Sequence, residues 1–184
     1  MGSMPSDTEL LYAWREGDTR AGGQLCERYF DPVRRFFANK VTGDPSDLVQ
    51  DTFATCVNAR DRIETGHFRP FLFGVAYNVF RRYLRNKYSL PEEDLAARSM
   101  HDIAPGPSTM LQESEDNRRL LMALRQLPVE LQVALELTFW EGMPSHAIAP
   151  VLGIPASTVR SHLRRSKALL KEALEDLGPR KEDG

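Results

Sequence analysis

Residues 145–171 read SHAIAPVLGIPASTVRSHLRRSKALLK, and their spacing decides the fold of the C-terminal part of the chain. A short helical run carrying Ile148 and Ala149 is followed by Leu152-Gly153-Ile154 and then by a longer helix with Val159 and Leu163. Ala149, Gly153 and Val159 give a small residue, a glycine and a β-branched residue at intervals of four and then six, the spacing of a helix-turn-helix. Ala149 permits close helix approach, Gly153 can take the left-handed conformation that ends the first helix, and Val159 plugs the second helix into a core. Arg160, Arg164, Lys167 and Lys171 follow at offsets of four, three and four, which is one face of a helix. A helical pair presenting a basic stripe suits the major groove of DNA. Glycine-turn helical hairpins are common and a basic stripe is often only a solvated face. The hydroxyl-bearing start at Ser157-Thr158 joins the other two signals and favours DNA. Pro150 removes a backbone donor and crowds the carbonyl of His146, which predicts a short, bent or partly irregular first helix.

The 184 residues suit one domain or two small ones. A hydrophobic fraction of 41% supports a packed interior, and 27% charged residues mark a soluble protein of cytoplasmic type. No apolar run approaches the length of a membrane span and no signal-peptide pattern opens the chain, so no membrane insertion is expected. Met1-Gly2-Ser3 ahead of Met4 reads as a cloning remnant. Cys26 and Cys56 lack CxxC spacing and sit in helical apolar patterns, so they read as buried free thiols, with a disulfide or metal site the weaker alternative.

The net charge of −2 looks wrong for a DNA binder until it is divided along the chain. Residues 1–88 hold thirteen Lys/Arg against eleven Asp/Glu, residues 89–117 one against seven, and residues 118–184 ten against eight. The acid is therefore concentrated in the middle, between two mildly basic blocks. Modest local fields of this kind suit a protein that binds DNA weakly alone and needs a partner.

The chain reads as all-α. Two small helical domains, residues 5–88 and 115–178, are joined by a flexible acidic linker, residues 89–114, that contains Pro91, Pro105, Gly106 and Pro107. Helices are expected over 8–16, 22–41, 45–63 and 70–88, with a kink or break at Pro32. Asp44 is the expected N-cap of the third, and a short helical turn is expected over 92–98. Beyond the linker, helices are expected over 114–127, 128–141, 145–152 and 157–177. No stretch alternates with period two.

In the third helix, DLVQDTF at residues 47–53 places Asp47, Gln50, Asp51 and the later Asn58 near one stripe, with Leu48 and Phe53 facing elsewhere. On spacing alone, an ordinary amphipathic helix with an acidic first turn explains this better than a docking face does. The fourth helix and its approach, residues 66–88, interleave Phe68, Phe71, Phe73, Tyr77, Phe80, Tyr83 and Tyr88 with Arg69, Arg81, Arg82, Arg85 and Lys87. Phe71, Val75 and Phe80 read as core. One helix face cannot bury all seven rings, so the surplus forms a platform for unstacked bases, with the arginines on phosphates and Asn78 on a base edge.

Together these residues resemble the extracytoplasmic-function sigma factors of bacterial RNA polymerase, in the sigma-70 family. The resemblance covers residues 10–88 and 120–174. DLVQDTF is similar to the segment that docks on the clamp helices of the polymerase β′ subunit, which assigns polymerase binding to Asp47, Leu48, Gln50, Asp51 and Phe53. Residues 68–85, FRPFLFGVAYNVFRRYLR, resemble the segment that captures the melted upstream promoter element, with Phe71-Leu72 where the family usually has Trp-Leu. That assigns the melted strand to His67, Phe68, Arg69, Asn78, Arg81, Arg82 and Arg85. Residues 124–143 resemble the helix before the helix-turn-helix, with Leu131 where the family favours Arg. Residues 151–170 resemble the recognition helix in Gly153, Thr158, Val159, Arg160, Ser161, Leu163 and Arg165. The family's common glycine is Ser157 here, a common Glu is Ala147, and Pro150 is atypical. Duplex contacts fall to Ser157, Thr158, Arg160, Ser161, Arg164, Arg165, Lys167 and Lys171. Arg160 and Arg164 are the candidates for base edges, and Thr158, Lys167 and Lys171 for phosphates.

The implied partners are core RNA polymerase (the β′ clamp helices and the β subunit), promoter DNA and an anti-sigma factor. No cofactor and no catalytic or metal site is implied. A regulator that binds duplex operator DNA without polymerase would share the helix-turn-helix but has no use for DLVQDTF or the aromatic-basic helix. An enzyme finds little support: His67, His101, His146 and His162 show no HExxH or other ligand spacing, and no phosphate-binding glycine loop is present.

Overall fold

The computed structural model describes residues 4–106 and 114–178. Met1-Gly2-Ser3 and Pro107 therefore lie outside the described residues. Ten α-helices and one 3-10 turn (Arg60–Arg62) follow one another, and no strand occurs among the described residues. None of these helices is long and apolar enough to cross a membrane.

Local chemistry sets the helix starts. α1 (Asp7–Arg15) opens with a capping box, in which the Ser6 hydroxyl accepts from the Glu9 amide at 3.3 Å and the Glu9 carboxylate accepts from the Ser6 amide at 2.7 Å. α2 (Thr19–Ala38) is capped by Asp18, which accepts from the amides of Arg20 and Ala21. α2 runs unbroken through Pro32 instead of breaking there, because Tyr29, Val33, Phe36 and Phe37 anchor it by burial on both sides of the proline. The N-cap of α3 (Ser46–Ala59) is Pro45 and not Asp44, because the helix begins one residue later than the spacing suggests; Asp44, one position before the cap, still accepts from the Ser46 amide at 3.1 Å. α4 (Phe68–Tyr88) ends where Ser89 takes a left-handed conformation, φ 52°.

The segment read as a flexible linker is packed over its described part. α5 (Glu92–Leu95) and α6 (Met100–Ile103) are single turns that bury Leu95, Met100 and Ile103. Backbone hydrogen bonds tie it to the following helices: Val129 N–H to the Arg98 carbonyl at 2.9 Å, and His101 N–H to the Arg125 carbonyl at 2.9 Å. The acidic residues Glu92, Glu93 and Asp94 lie on the outside, so composition alone suggested a tether while the spaced apolar residues hold it down.

α7 (Glu115–Leu124), α8 (Val129–Phe139), α9 (Ser145–Leu152) and α10 (Ala156–Asp176) complete the chain. A small leucine cluster of Leu121, Leu124, Leu127, Leu131 and Leu135 joins α7 to α8 and packs against α10. The main core is shared by the two helical groups. It runs from Leu10 through Phe36, Phe73 and Phe80 to Val133, Ile148 and Val159 without a break. α4 is its axis, packed on α2 and α3 on one side and on α9 on the other.

Gly22 shows how tightly the N-terminal group is packed. A Cβ there would stand 2.5 Å from the Trp14 indole nitrogen. Gly to Ala within a helix ordinarily stabilises by about 1 kcal/mol. At this position overpacking against a buried ring dominates, and Gly22→Ala is expected to destabilise by about 1–3 kcal/mol. A lowered urea midpoint with an unchanged m-value checks this.

Candidate nucleic-acid interface

α9 and α10 form the helix-turn-helix that the spacing predicts. Gly153 ends α9 in the left-handed conformation, φ 68° and ψ 31°, and the Ile154 amide reaches back to the Ala149 carbonyl at 3.2 Å. Val159 is fully buried. α9 is short, eight residues, as Pro150 leads one to expect, and it runs unbroken through the proline.

On α10, Ser157, Arg160, Ser161, Arg164, Arg165, Lys167 and Lys171 are exposed, and Thr158 is half-buried. Arg160, Arg164 and Arg165 make no ion pair among the described residues. The basic stripe divides along its length. Lys171 stands eleven residues beyond Arg160, about 16 Å along the axis at 1.5 Å per residue. Lys167 lies over the Phe139 ring at 5.5 Å, and Lys171 faces Glu175 at 4.0 Å. Both lysines border an apolar groove of about 590 Å³ between α7, α8 and α10, lined by Leu120, Leu124, Phe139, Trp140, Leu170 and Leu174 among others. Phe139 is 62% exposed there, an uncovered ring of the kind that marks interaction surfaces.

The aromatic-basic helix differs from its sequence reading. Phe68 is 2% exposed and packs on Tyr29, ring centroids 5.6 Å apart, so it is a core ring and is withdrawn from the melted-strand set. Phe73, Tyr77 and Phe80 are buried too, and Phe71 and Val75 are half-buried. The single-face argument fails because α4 is enclosed by helices on several sides, and a central helix buries rings all round. Phe71, Tyr83 and Tyr88 remain partly open, the last two with the Lys87 ammonium 5.3 and 5.6 Å from their ring centres.

The basic residues of α4 are already engaged. Arg81 and Arg85 both pair with Glu92 of α5, the latter at 2.7 Å. Arg82 stands 3.5 Å from Asp51 of α3, and Arg69 donates to the Glu141 carbonyl at 2.7 Å. His67 and Asn78 are exposed. On α3, Asp47, Gln50 and Asp51 form an exposed stripe, while Leu48 and Phe53 are half-buried against the core.

Cys56 is buried and Cys26 half-buried, both as free thiols, and burial pushes the Cys56 thiol up to about 12. No cluster of metal-binding side chains occurs among the described residues.

Sequence reasoning missed a polar seam between the two helical groups. Lys40 of the α2 end contacts Glu136 of α8, with Asn39, Gln132 and Arg125 around them, and Arg35 pairs with Glu141 at 2.6 Å. A signal was present: Gln132 and Glu136 stand at i and i+4 in VELQVALELTF, on one face of a largely apolar helix whose other polar residues are Glu130 and Thr138.

Residues 25–89 match the model of Sigma-70 region 2, and residues 117–170 match the model of Sigma-70 region 4. The chain is 26% identical over 191 residues to the ECF RNA polymerase sigma-E factor of Haemophilus influenzae, spanning 96% of this chain and 100% of that protein. It is 24% identical over 188 residues to the ECF RNA polymerase sigma-E factor of Escherichia coli K12, with 96% and 98% covered. The solved structure of CnrH in complex with the cytosolic domain of CnrY shares the fold, with a TM-score of 0.69 at 24% identity over 94% of this chain and 99% of that one. Matching both regions and aligning with these relatives over nearly its whole length, the chain belongs to the extracytoplasmic-function sigma factors of the sigma-70 family, the transcription initiation factors of bacterial RNA polymerase.

Proposed function

We propose that this sigma factor directs core polymerase to a set of promoters through two DNA contacts of different kinds, one made by residues 115–178 and one by residues 5–88. The N-terminal half of α10 reads duplex DNA in the major groove. The observation that carries this is the exposure of Arg160, Arg164 and Arg165 at a helix-turn-helix, with no carboxylate among the described residues paired to them. Arg160 and Arg164 are placed for base edges and Thr158 for a phosphate. Lys167 and Lys171, further along the helix, add charge toward the backbone. His67, Arg69, Asn78, Arg81, Arg82 and Arg85 hold the non-template strand after melting, chiefly through phosphates, since few rings remain for stacking.

Asp47, Gln50 and Asp51 dock the factor on the β′ clamp helices. The apolar groove beside Phe139 and Trp140 suits a contact with the β subunit. The complex of CnrH with the cytosolic domain of CnrY supports a protein partner that holds this factor in reserve, in the cytoplasm.

Transcription from a randomised promoter library with purified core polymerase tests the sorting of contacts. Arg160→Ala is expected to relax selection at one upstream base, by about 1–3 kcal/mol. Lys171→Ala is expected to weaken binding on every sequence alike and to lower the salt slope by about 1. Equal, sequence-independent losses for both would contradict it.

A further inference from the structure

Each arginine that follows Asn78 on α4 faces a carboxylate. Arg82 has Asp51, and Arg81 and Arg85 share Glu92, one on each carboxylate oxygen, with Arg85 at 2.7 Å. The arginines of α10 differ, since Arg160, Arg164 and Arg165 make no ion pair among the described residues. Of the two basic faces, the one on α10 is open and the one on α4 is occupied.

Glu92 is held in place without help from these ion pairs. Ser89 in the left-handed conformation and Pro91 separate α4 from α5, and α5 packs back on α4. Leu95, 1% exposed, anchors α5, and just beyond it the amides of Val129 and Glu130 donate to the carbonyls of Arg98 and Ala96. Arg81 is held independently as well, its guanidinium 5.6 Å from the centre of the Tyr77 ring. Glu92 and Arg85, 43% and 48% exposed, form a surface pair of the kind that adds little to stability. A pair that neither holds the fold nor places Arg81 is free to exchange. The natural exchange partner is a phosphate, because a carboxylate and a phosphodiester both offer a guanidinium two anionic oxygens in matching geometry.

We propose that Glu92 is an internal phosphate competitor, a carboxylate seated on Arg81 and Arg85 that keeps α4 from holding nucleic acid on charge alone. The helical groups keep their places when it yields. The Glu92 side chain swings aside while Leu95 stays buried and α5 stays on α4. A strand that offers only phosphates must displace the carboxylate with nothing else in return. A strand that also engages His67 and Asn78 has further contacts with which to displace it. The use of Arg81 and Arg85 on a melted promoter strand rests on the functional reading above.

Fluorescence anisotropy of labelled oligothymidylate, titrated with the full chain at several salt concentrations, reads the competitor without polymerase. Glu92→Gln is expected to bind about fivefold more tightly than wild type at low salt, the gain that two exposed pairs of ordinary strength predict. It is also expected to steepen the salt slope by about 0.7, the share of one further phosphate contact. Glu93→Gln makes the same change of net charge one residue away and is expected to stay within about twofold of wild type. Both substitutions leave a neutral isostere at an exposed position, so neither is expected to disturb the fold. The gain of Glu92→Gln is expected to vanish when Arg81 and Arg85 are both replaced by alanine. A Glu92→Gln variant that binds no more tightly than wild type overturns the proposal. An equal gain in Glu93→Gln does the same, as does a gain that survives the loss of both arginines. If the gain appears as expected but the double alanine variant still opens promoters normally with core polymerase, the functional reading of these arginines falls and the competitor stands.

Discussion

Asp51→Arg is expected to abolish useful affinity for core polymerase while leaving the fold intact. Asp47, Gln50 and Asp51 share an exposed stripe of α3, and beneath it Val49, Thr52 and Cys56 are buried. The stripe therefore contributes little to packing. The 3.5 Å pair of Asp51 with Arg82 has both side chains more than half exposed, 54% and 59%, so it stabilises the fold by less than about 1 kcal/mol. Reversing the charge against a basic docking partner costs several kcal/mol, which corresponds to about 100-fold or more in the dissociation constant. Equilibrium competition with labelled wild-type factor for core polymerase measures this. Binding within about threefold of wild type would remove α3 from the docking surface.

Phe68→Ala is the second large effect, and it separates two roles that the sequence confused. With its ring 2% exposed against Tyr29, truncation opens a cavity in the main core and is expected to cost about 3–5 kcal/mol of stability. For a chain of marginal stability this is a large share of the total. His67→Ala, one residue earlier at an exposed position, is expected to leave the melting temperature unchanged and to weaken capture of melted promoter DNA. A Phe68→Ala variant of wild-type stability that bound single-stranded promoter DNA poorly would restore the ring to the interface.

The helices were legible because their signals are local. Gly153 takes the left-handed turn that its spacing calls for, and Val159 is buried at the place that spacing gives it. The exposed basic face of α10 was legible for a related reason. A solvated face keeps its charge pattern in the sequence, and Arg160, Ser161 and Arg164 are exposed as that pattern implies. What could not be read locally was the partnership between distant segments. Whether a ring on α4 faces solvent depends on α9, seventy residues away in sequence, and α9 is packed on it. The acidic segment looked like a tether because its charges dominate its composition, yet Leu95, Met100 and Ile103 bind it to the core. Glu92 then holds two of the arginines assigned to DNA. The melted-strand set is thus partly occupied within the closed chain, which no spacing rule reveals.

Chemical footprinting on one library-selected promoter tests the central claim most directly. With core polymerase and this factor together, the account predicts duplex protection upstream and permanganate-reactive, unpaired thymines on the start-site side of it. Neither signal should arise with core alone, and the reactive thymines should disappear with Asp51→Arg. A symmetric protected duplex formed by the factor alone, with no unpaired thymines when polymerase is added, would contradict it.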